Sequence, residues 1–315
     1  MSVYLRGKRH FESSPELDEQ EESWWNQNAD LINRIWGLPD AICEIARKPY
    51  LSRIRTVFHG GNPNKTLQVL EVACGAGWPG QILCDEKTKV TGVDFSQKQI
   101  ELAQKRAKLF GKERLCTYRL AKIEELSTLY SQYDGVFIHC ALHHLSHKEL
   151  VEVAKSLSSV RSDATVVLVE PVYFKKSLFV VRAAVEIFYR ALDRLFFRKE
   201  KIDRDIFERT KALLSKSSQN GWFLSPKEMP FGENEIRDIF KDNFEIEKIE
   251  PVGHLSVRFS IFLGTLSGQK RAEILAKIWL PVFLLVDKIL IKTKLAHVCS
   301  NDYLFSMIVL RKKSI

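Results

Sequence analysis

The stretch LEVACGAGWPGQIL, residues 70–83, runs apolar, carries Glu71 within it, breaks at Gly75 and Gly77 and resumes behind Pro79. Glycines so spaced let the main chain approach a ligand with no side chain between and permit positive φ. A helix starting behind them points its first N–H groups into the break. GAGWPG also satisfies G-x-G-x-x-G, the dinucleotide pattern, and Asp94 at the end of the next apolar run stands where an acid holds ribose hydroxyls. Two features argue against a pyrophosphate. Glu71 beside the glycines would repel it and would attract an ammonium or sulfonium group. Trp78 and Pro79 replace the small residues that favour close helix packing under a pyrophosphate.

A second group of reactive side chains lies in HCALHHLSH, residues 139–147. An imidazole near its ordinary pKa suits a general base that takes the proton of a hydroxyl nucleophile, so His143 and His144 are the catalytic candidates; the same pair could instead close the loop by hydrogen bonds. His139, His143 and His147 recur every four residues, a spacing that suits a metal on a helix. The segment passes from strand into loop, so helical spacing need not apply, and no metal is expected.

The elements that must position these residues follow from periodicity. Strands are expected at 66–73, 89–96, 114–120, 133–140 and 165–171, and helices at 79–84, 96–110 and 147–158. That alternation predicts an α/β fold built on a doubly wound, mostly parallel sheet. Ser96 reads as the N-cap of its helix and Gly111 as its stop. Before Asn64, residues 24–58 read as two short amphipathic helices broken at Gly37, Leu38 and Pro39. After Pro171 a helix over 177–197 carries Arg182, Glu186, Arg190 and Arg194 on one stripe, and a helix over 272–291 is apolar almost all round between Ile278 and Val286. Between them lie a helix and a strand in 231–253, and 303–312 reads as a final strand. The chain divides into an N-terminal helical part (1–63), a core (64–172), a basic helical insert (173–230) and a C-terminal part of the core (231–315).

In order and spacing, LEVACGAGWPGQIL, VTGVDFSQKQIELAQKRA, YDGVFIHCALHHL and VVLVEP together resemble the class I S-adenosylmethionine-dependent methyltransferases. The resemblance is strong over about residues 64–172 and weak over 303–312. It implies a Rossmann-like seven-stranded sheet with an N-terminal helical lid and a large helical insert before the last strands, and S-adenosyl-L-methionine as cofactor. It implies further that Glu71, Ala73, Gly75 and Gly77 cradle the methionine part, that Asp94 accepts the ribose hydroxyls, that Phe95 and Ile123 lie by the adenine, and that His139 and Cys140 line the cofactor. Ala73 stands where the family usually has a glycine, and Lys122 where an aspartate often meets the adenine amino group. Trp24 and Trp25, with Tyr4 and Phe11, form either an aromatic gate of the lid or a satellite core; Trp24, Trp25 and Tyr173 are the candidate acceptor contacts.

Composition bounds the remaining choices. With 315 residues, 45% of them hydrophobic and 28% charged, a sizeable core can form. The polar first residues do not resemble an export signal and no long uncharged apolar run appears, so a cytoplasmic protein is expected. Cys43, Cys74, Cys84, Cys116, Cys140 and Cys299 are scattered, as reduced thiols are. The net charge of +9 is local: residues 175–227 hold 13 Lys and Arg against 6 Asp and Glu. The basic, apolar helices suit burial, a tunnel for a greasy substrate, or peripheral contact with a membrane surface. The expected activity is methyl transfer to a small, largely hydrophobic acceptor (a lipid, isoprenoid, polyketide or modified peptide), at oxygen. The alternatives are a nucleic-acid methyltransferase, disfavoured because the insert's cations are interleaved with bulky aliphatics, and a catalytically silent relative that binds cofactor or partner.

Overall fold

The computed structural model describes residues 14–33, 40–60, 62, 64–173, 227, 229–253, 255–264, 269–295 and 304–313. The helix expected over 177–197, the break at Gly37, Leu38 and Pro39, and Tyr4, Phe11 and Cys299 lie outside these residues.

Five parallel strands form the first part of the sheet: β1 (Leu67–Val72), β2 (Thr88–Asp94), β3 (Cys116–Leu120), β4 (Gly135–His139) and β5 (Thr165–Tyr173). A two-residue β6 (Phe231–Gly232) pairs in parallel with β5, and β7 (Phe244–Pro251) and β8 (Leu304–Lys312) complete the order β3-β2-β1-β4-β5-β8-β7, with β8 antiparallel to both neighbours. The sheet is therefore the mostly parallel, seven-stranded path expected, with β6 as a short addition. Its strands read as continuous apolar runs because helices cover both faces.

Side chains alternate between two cores with the period of a strand. Val69, Phe137, Val167 and Val169 point to one, where α2 (Asp40–His59), α3 (Trp78–Leu83) and α4 (Gln97–Leu109) pack with α7 (Leu255–Gly264) and α8 (Gln269–Lys292). Leu70, Val136, Ile138 and Leu168 point to the other, under α5 (His147–Leu157) and α6 (Glu233–Phe240). The first helix, α1 (Pro15–Ile32), starts well before the expected Trp24: Ser14 Oγ accepts the Leu17 N–H at 3.2 Å, Pro15 opens the first turn, and Glu16 and Asp18 lie against the helix's positive end.

Helix α7 was not expected at all. Its N-terminus is capped from a distance in sequence by Asp287 of α8, whose Oδ1 accepts the Leu255 N–H at 2.8 Å and whose Oδ2 accepts the Ser256 N–H at 3.0 Å and its hydroxyl at 2.5 Å. This carboxylate fixes the rotation of α8 about its axis, with Ala272, Ala276, Leu280 and Phe283 turned inward. Replacing Asp287 by Ala strips three donors of a buried, charged acceptor and should cost about 2–3 kcal/mol of unfolding free energy in urea titration; a loss below about 0.5 kcal/mol would refute the cap as a structural tie.

Candidate functional site

Strand order reverses between β1 and β4, and the loops leaving their carboxyl ends part there into a crevice. Both loops turn through left-handed backbone: Ala73, Gly75 and Gly77 have φ of 53, 52 and 73°, and Cys140 has φ of 55°. Two of the four are not glycine, so each stores about 1 kcal/mol of backbone strain that the surrounding contacts must hold. At Gly77 the constraint is also steric, since an added Cβ would lie 2.7 Å from the ring and hydroxyl of Tyr118, whose O–H donates to the Gly77 carbonyl at 3.1 Å.

The glycine loop is tied to the end of β2 by one carboxylate. Asp94 Oδ2 accepts the Gly75 N–H at 2.8 Å and Oδ1 accepts the Ser96 N–H at 2.9 Å. Burial pushes its pKa up to about 6, while those amides pull it the other way. Each oxygen retains a second acceptor direction.

These loops and α1 enclose a cavity of about 440 Å³, within the range of small-molecule sites. Of the expected residues, Trp24, Trp25, Ala73, Gly75, Asp94, Phe95, Ile123, His139, Cys140, His143 and His144 line it, and Glu71, Gly77 and Tyr173 do not. Glu71, expected in the cradle, lies beneath the loop and not on the cavity wall. It is wholly buried there against Gly80, and burial pushes its pKa well above the usual carboxylate value. The ionisable acid that the loop presents to the cavity is Asp94.

Glu170, near the end of β5, is a residue the sequence reasoning passed over. It is fully buried; Oε1 accepts the N–H groups of Ala141 and Leu142 at 3.0 and 2.9 Å, and Oε2 meets His143 Nδ1 at 2.7 Å. A carboxylate only accepts, so this contact is made with the proton on Nδ1. The available signal was an acid inside the apolar run VVLVEP, since a buried strand keeps an acid only where it has partners.

The neighbouring rings have other partners. His144 Nδ1 meets Glu21 Oε1 of α1 at 3.1 Å and its ring stands edge-on to Trp25 at 5.4 Å. His139 Nε2 meets the Tyr50 hydroxyl at 3.0 Å and the ring lies edge-on to Trp78 at 5.0 Å. Burial, with the Arg47 guanidinium adding to it, pulls the His139 pKa down to about 3, so this ring stays neutral. Among the described residues no group of His, Cys, Asp or Glu is arranged to hold a metal ion.

Helix α1 closes one side of the cavity. Glu21 Oε1 accepts from Trp25 Nε1 at 2.8 Å, Asn26 Oδ1 accepts from the Ser96 hydroxyl at 2.7 Å, and the Lys227 N–H donates to Glu21 Oε2 at 3.1 Å. Lys227, itself buried, sends its Nζ to Asp18 Oδ1 at 2.7 Å and to Glu149 Oε1 of α5 at 3.0 Å. The walls carry five acids (Asp18, Glu21, Glu22, Asp94 and Glu149) against Lys122 and Lys227, a balance that favours a cationic guest.

Residues 69–162 match a family model described as a methyltransferase domain. The ubiquinone biosynthesis O-methyltransferase of Methylocella silvestris is 28% identical over 136 residues, 41% of this chain and 51% of that protein. The malonyl-[acyl-carrier protein] O-methyltransferase of Priestia megaterium is 32% identical over 104 residues, 31% of this chain and 36% of that protein. The chain thus spans about half or less of the curated relatives it matches. Among solved structures, magnesium protoporphyrin IX methyltransferase from Synechocystis superposes with a TM-score of 0.52 at 15% identity, covering 93% of this chain and 97% of that one. The [4+2]-cyclase SpnF superposes at 0.56 and 13%, covering 98% and 100%. At these identities the structural likeness is one of fold.

The turn geometry gives a direct test. Gly77→Ala combines a disallowed Cβ contact with a left-handed backbone and should lower stability by about 2 kcal/mol or more, read as a fall in Tm; an unchanged Tm would mean that Tyr118 and the loop do not press together as described.

Proposed function

We propose that this protein, whose residues 69–162 match a methyltransferase-domain model, is a class I S-adenosylmethionine-dependent methyltransferase that methylates a small, largely hydrophobic acceptor at oxygen. The observation that carries the reading is Asp94. It is a carboxylate held by two main-chain amides at the switch crevice, facing a cavity whose walls are mostly acidic where charged and flat and apolar at Phe95 and Ile123. These residues suit the proposed guest: spare acceptor directions for vicinal hydroxyls, apolar side chains for an aromatic base, and bare main chain at Ala73 and Gly75 for an amino acid end. Bound there, S-adenosylmethionine supplies an electrophilic methyl group carried on a sulfonium.

The chain's own residues then align, desolvate and deprotonate. His143 is the base of this reading: with its Nδ1 proton engaged by Glu170, Nε2 takes the proton of an acceptor hydroxyl as the oxygen attacks in line. Glu170 is a positioning residue that sets the tautomer and stabilises the imidazolium formed. His144, engaged by Glu21 and Trp25, fastens α1 over the cavity and so helps to exclude water. Trp24 and Trp25 give the acceptor side an aromatic wall, consistent with a greasy substrate; Tyr173 is not among the residues that line the cavity. Both curated relatives described above are named O-methyltransferases, which supports oxygen.

The fold alone does not dictate methyl transfer, since a [4+2]-cyclase shares it. The discriminating experiment is incubation with methyl-labelled S-adenosylmethionine and separate lipid, polar-metabolite and RNA fractions. Label in the lipid-soluble fraction is expected; label in RNA alone, or in no fraction despite cofactor binding, would overturn the acceptor class or the activity.

Asp94→Ala should weaken S-adenosylhomocysteine binding by about 1–3 kcal/mol in calorimetric titration. The pH dependence has a definite sign. The ionised carboxylate is the form that accepts hydroxyl donors, and burial places its pKa at about 6, so affinity should be level above pH 7 and fall about tenfold for each unit below 6. A flat profile would remove Asp94 from the site. His143→Ala should cut kcat by about 100-fold or more and leave cofactor affinity within about twofold. Glu170→Gln should shift the lower limb of the kcat profile to more acidic pH, a change that loss of packing alone would not produce.

A further inference from the structure

Of the eleven large hydrophobic side chains exposed among the described residues, seven lie between Ile274 and Leu295. The other four, Leu109, Phe110, Leu120 and Val151, are scattered over other elements, as single exposed apolar residues ordinarily are. On α8, Ile274, Ile278, Val282, Leu285 and Ile289 are each between 46 and 60% exposed. Their spacing of four, four, three and four keeps them within an arc of about 80° at the helical period. That arc lies opposite the face locked inward by Asp287 and by Ala276, Leu280 and Phe283, so it belongs to the outside of the molecule. It runs about 22 Å along the axis and presents on the order of 400 Å² of apolar surface, comparable to the largest patch of an ordinary monomer, which is often functional.

Charge selects the occupant. Lys270, Lys277, Lys288 and Lys292 are exposed and follow one edge of the apolar arc, within about one residue's rotation of it. The acids of the helix are Glu273 and Asp287, and Asp287 is turned inward as the cap of α7. An antiparallel isologous pairing of two copies across this face would bring two lysine rows together. A sheet of anionic headgroups meets the same row favourably while the aliphatic arc enters the acyl boundary. No helix among the described residues is long and apolar enough to cross a membrane, so the helix would lie along the surface.

We infer that α8 is a membrane-surface docking helix, which seats the aliphatic arc from Ile274 to Ile289 in the interface of an anionic lipid bilayer with the Lys270, Lys277, Lys288 and Lys292 row against the headgroups. The inference goes beyond the methyl-transfer reading and stands on the outer face of one helix alone.

Flotation of the full chain with phosphatidylcholine vesicles, with and without phosphatidylglycerol, tests it. The protein should float with the anionic vesicles and bind the neutral ones at least about tenfold more weakly. The pair Ile278→Glu and Leu285→Glu, and separately the pair Lys277→Glu and Lys288→Glu, should each lower anionic-vesicle binding by about tenfold or more. Because all four side chains are exposed, Tm and S-adenosylhomocysteine affinity should not change. Absence of flotation, or flotation that both pairs leave intact, would overturn the inference. So would a dimer, seen by light scattering, that the Ile278→Glu and Leu285→Glu pair dissolves, since that would give the face to a second copy. Cofactor titration on the same preparations separates the two readings: a wild-type protein that floats but binds no cofactor keeps the docking helix and loses the methyltransferase.

Discussion

Two loops that leave the sheet in left-handed turns have to be held open against their own strain, and buried carboxylates do this. Asp94 gathers the amides of Gly75 and Ser96, and Glu170 gathers those of Ala141 and Leu142. Each acid accepts from main chain on one side and turns a second function outward or onward: Asp94 toward the cavity, Glu170 into the His143 ring. Without these ties, turns at Ala73 and Cys140 would relax toward backbone that L-residues prefer, and the crevice between β1 and β4 would lose its shape.

The same economy extends to the cover. Helix α1 has no strand of its own in the sheet; besides burying Ala29 and Ile32 it is fastened by polar groups: Glu21 to the His144 ring and the Lys227 amide, Asp18 to the Lys227 ammonium, Asn26 to the Ser96 hydroxyl. Such contacts are individually worth only about 1–3 kcal/mol, so a cover fastened by them can release and re-form without unfolding the core.

Much of this was legible in the sequence because it rests on local periodicity. The strands β1 to β5 and the helices α3 to α5 declare themselves through apolar runs, glycine breaks and Ser caps, and the glycine loop and the acid at the next strand's end, paired in the sequence, come together at the crevice. The parts not legible depend on tertiary partners. Glu71 has the residue type of a ligand contact, yet only the fold reveals that Gly80 and the sheet bury it. The cap of helix α7 arrives from Asp287, about one and a half turns from the end of α8. Glu170 sits in an apolar run whose acid could be noticed but not assigned, because its partners lie about thirty residues upstream. The apolar character of α8 was plain, but which side of it met the core was not, since residues apolar all round carry no moment to orient them.

The sharing of Glu170 between loop and ring has a consequence for how errors propagate. A molecule whose 141–142 loop has slipped also loses the proton arrangement on His143, because one carboxylate serves both. Partly competent molecules are then scarce, and a damaged population should resemble a diluted one, with fewer working copies each running at full speed.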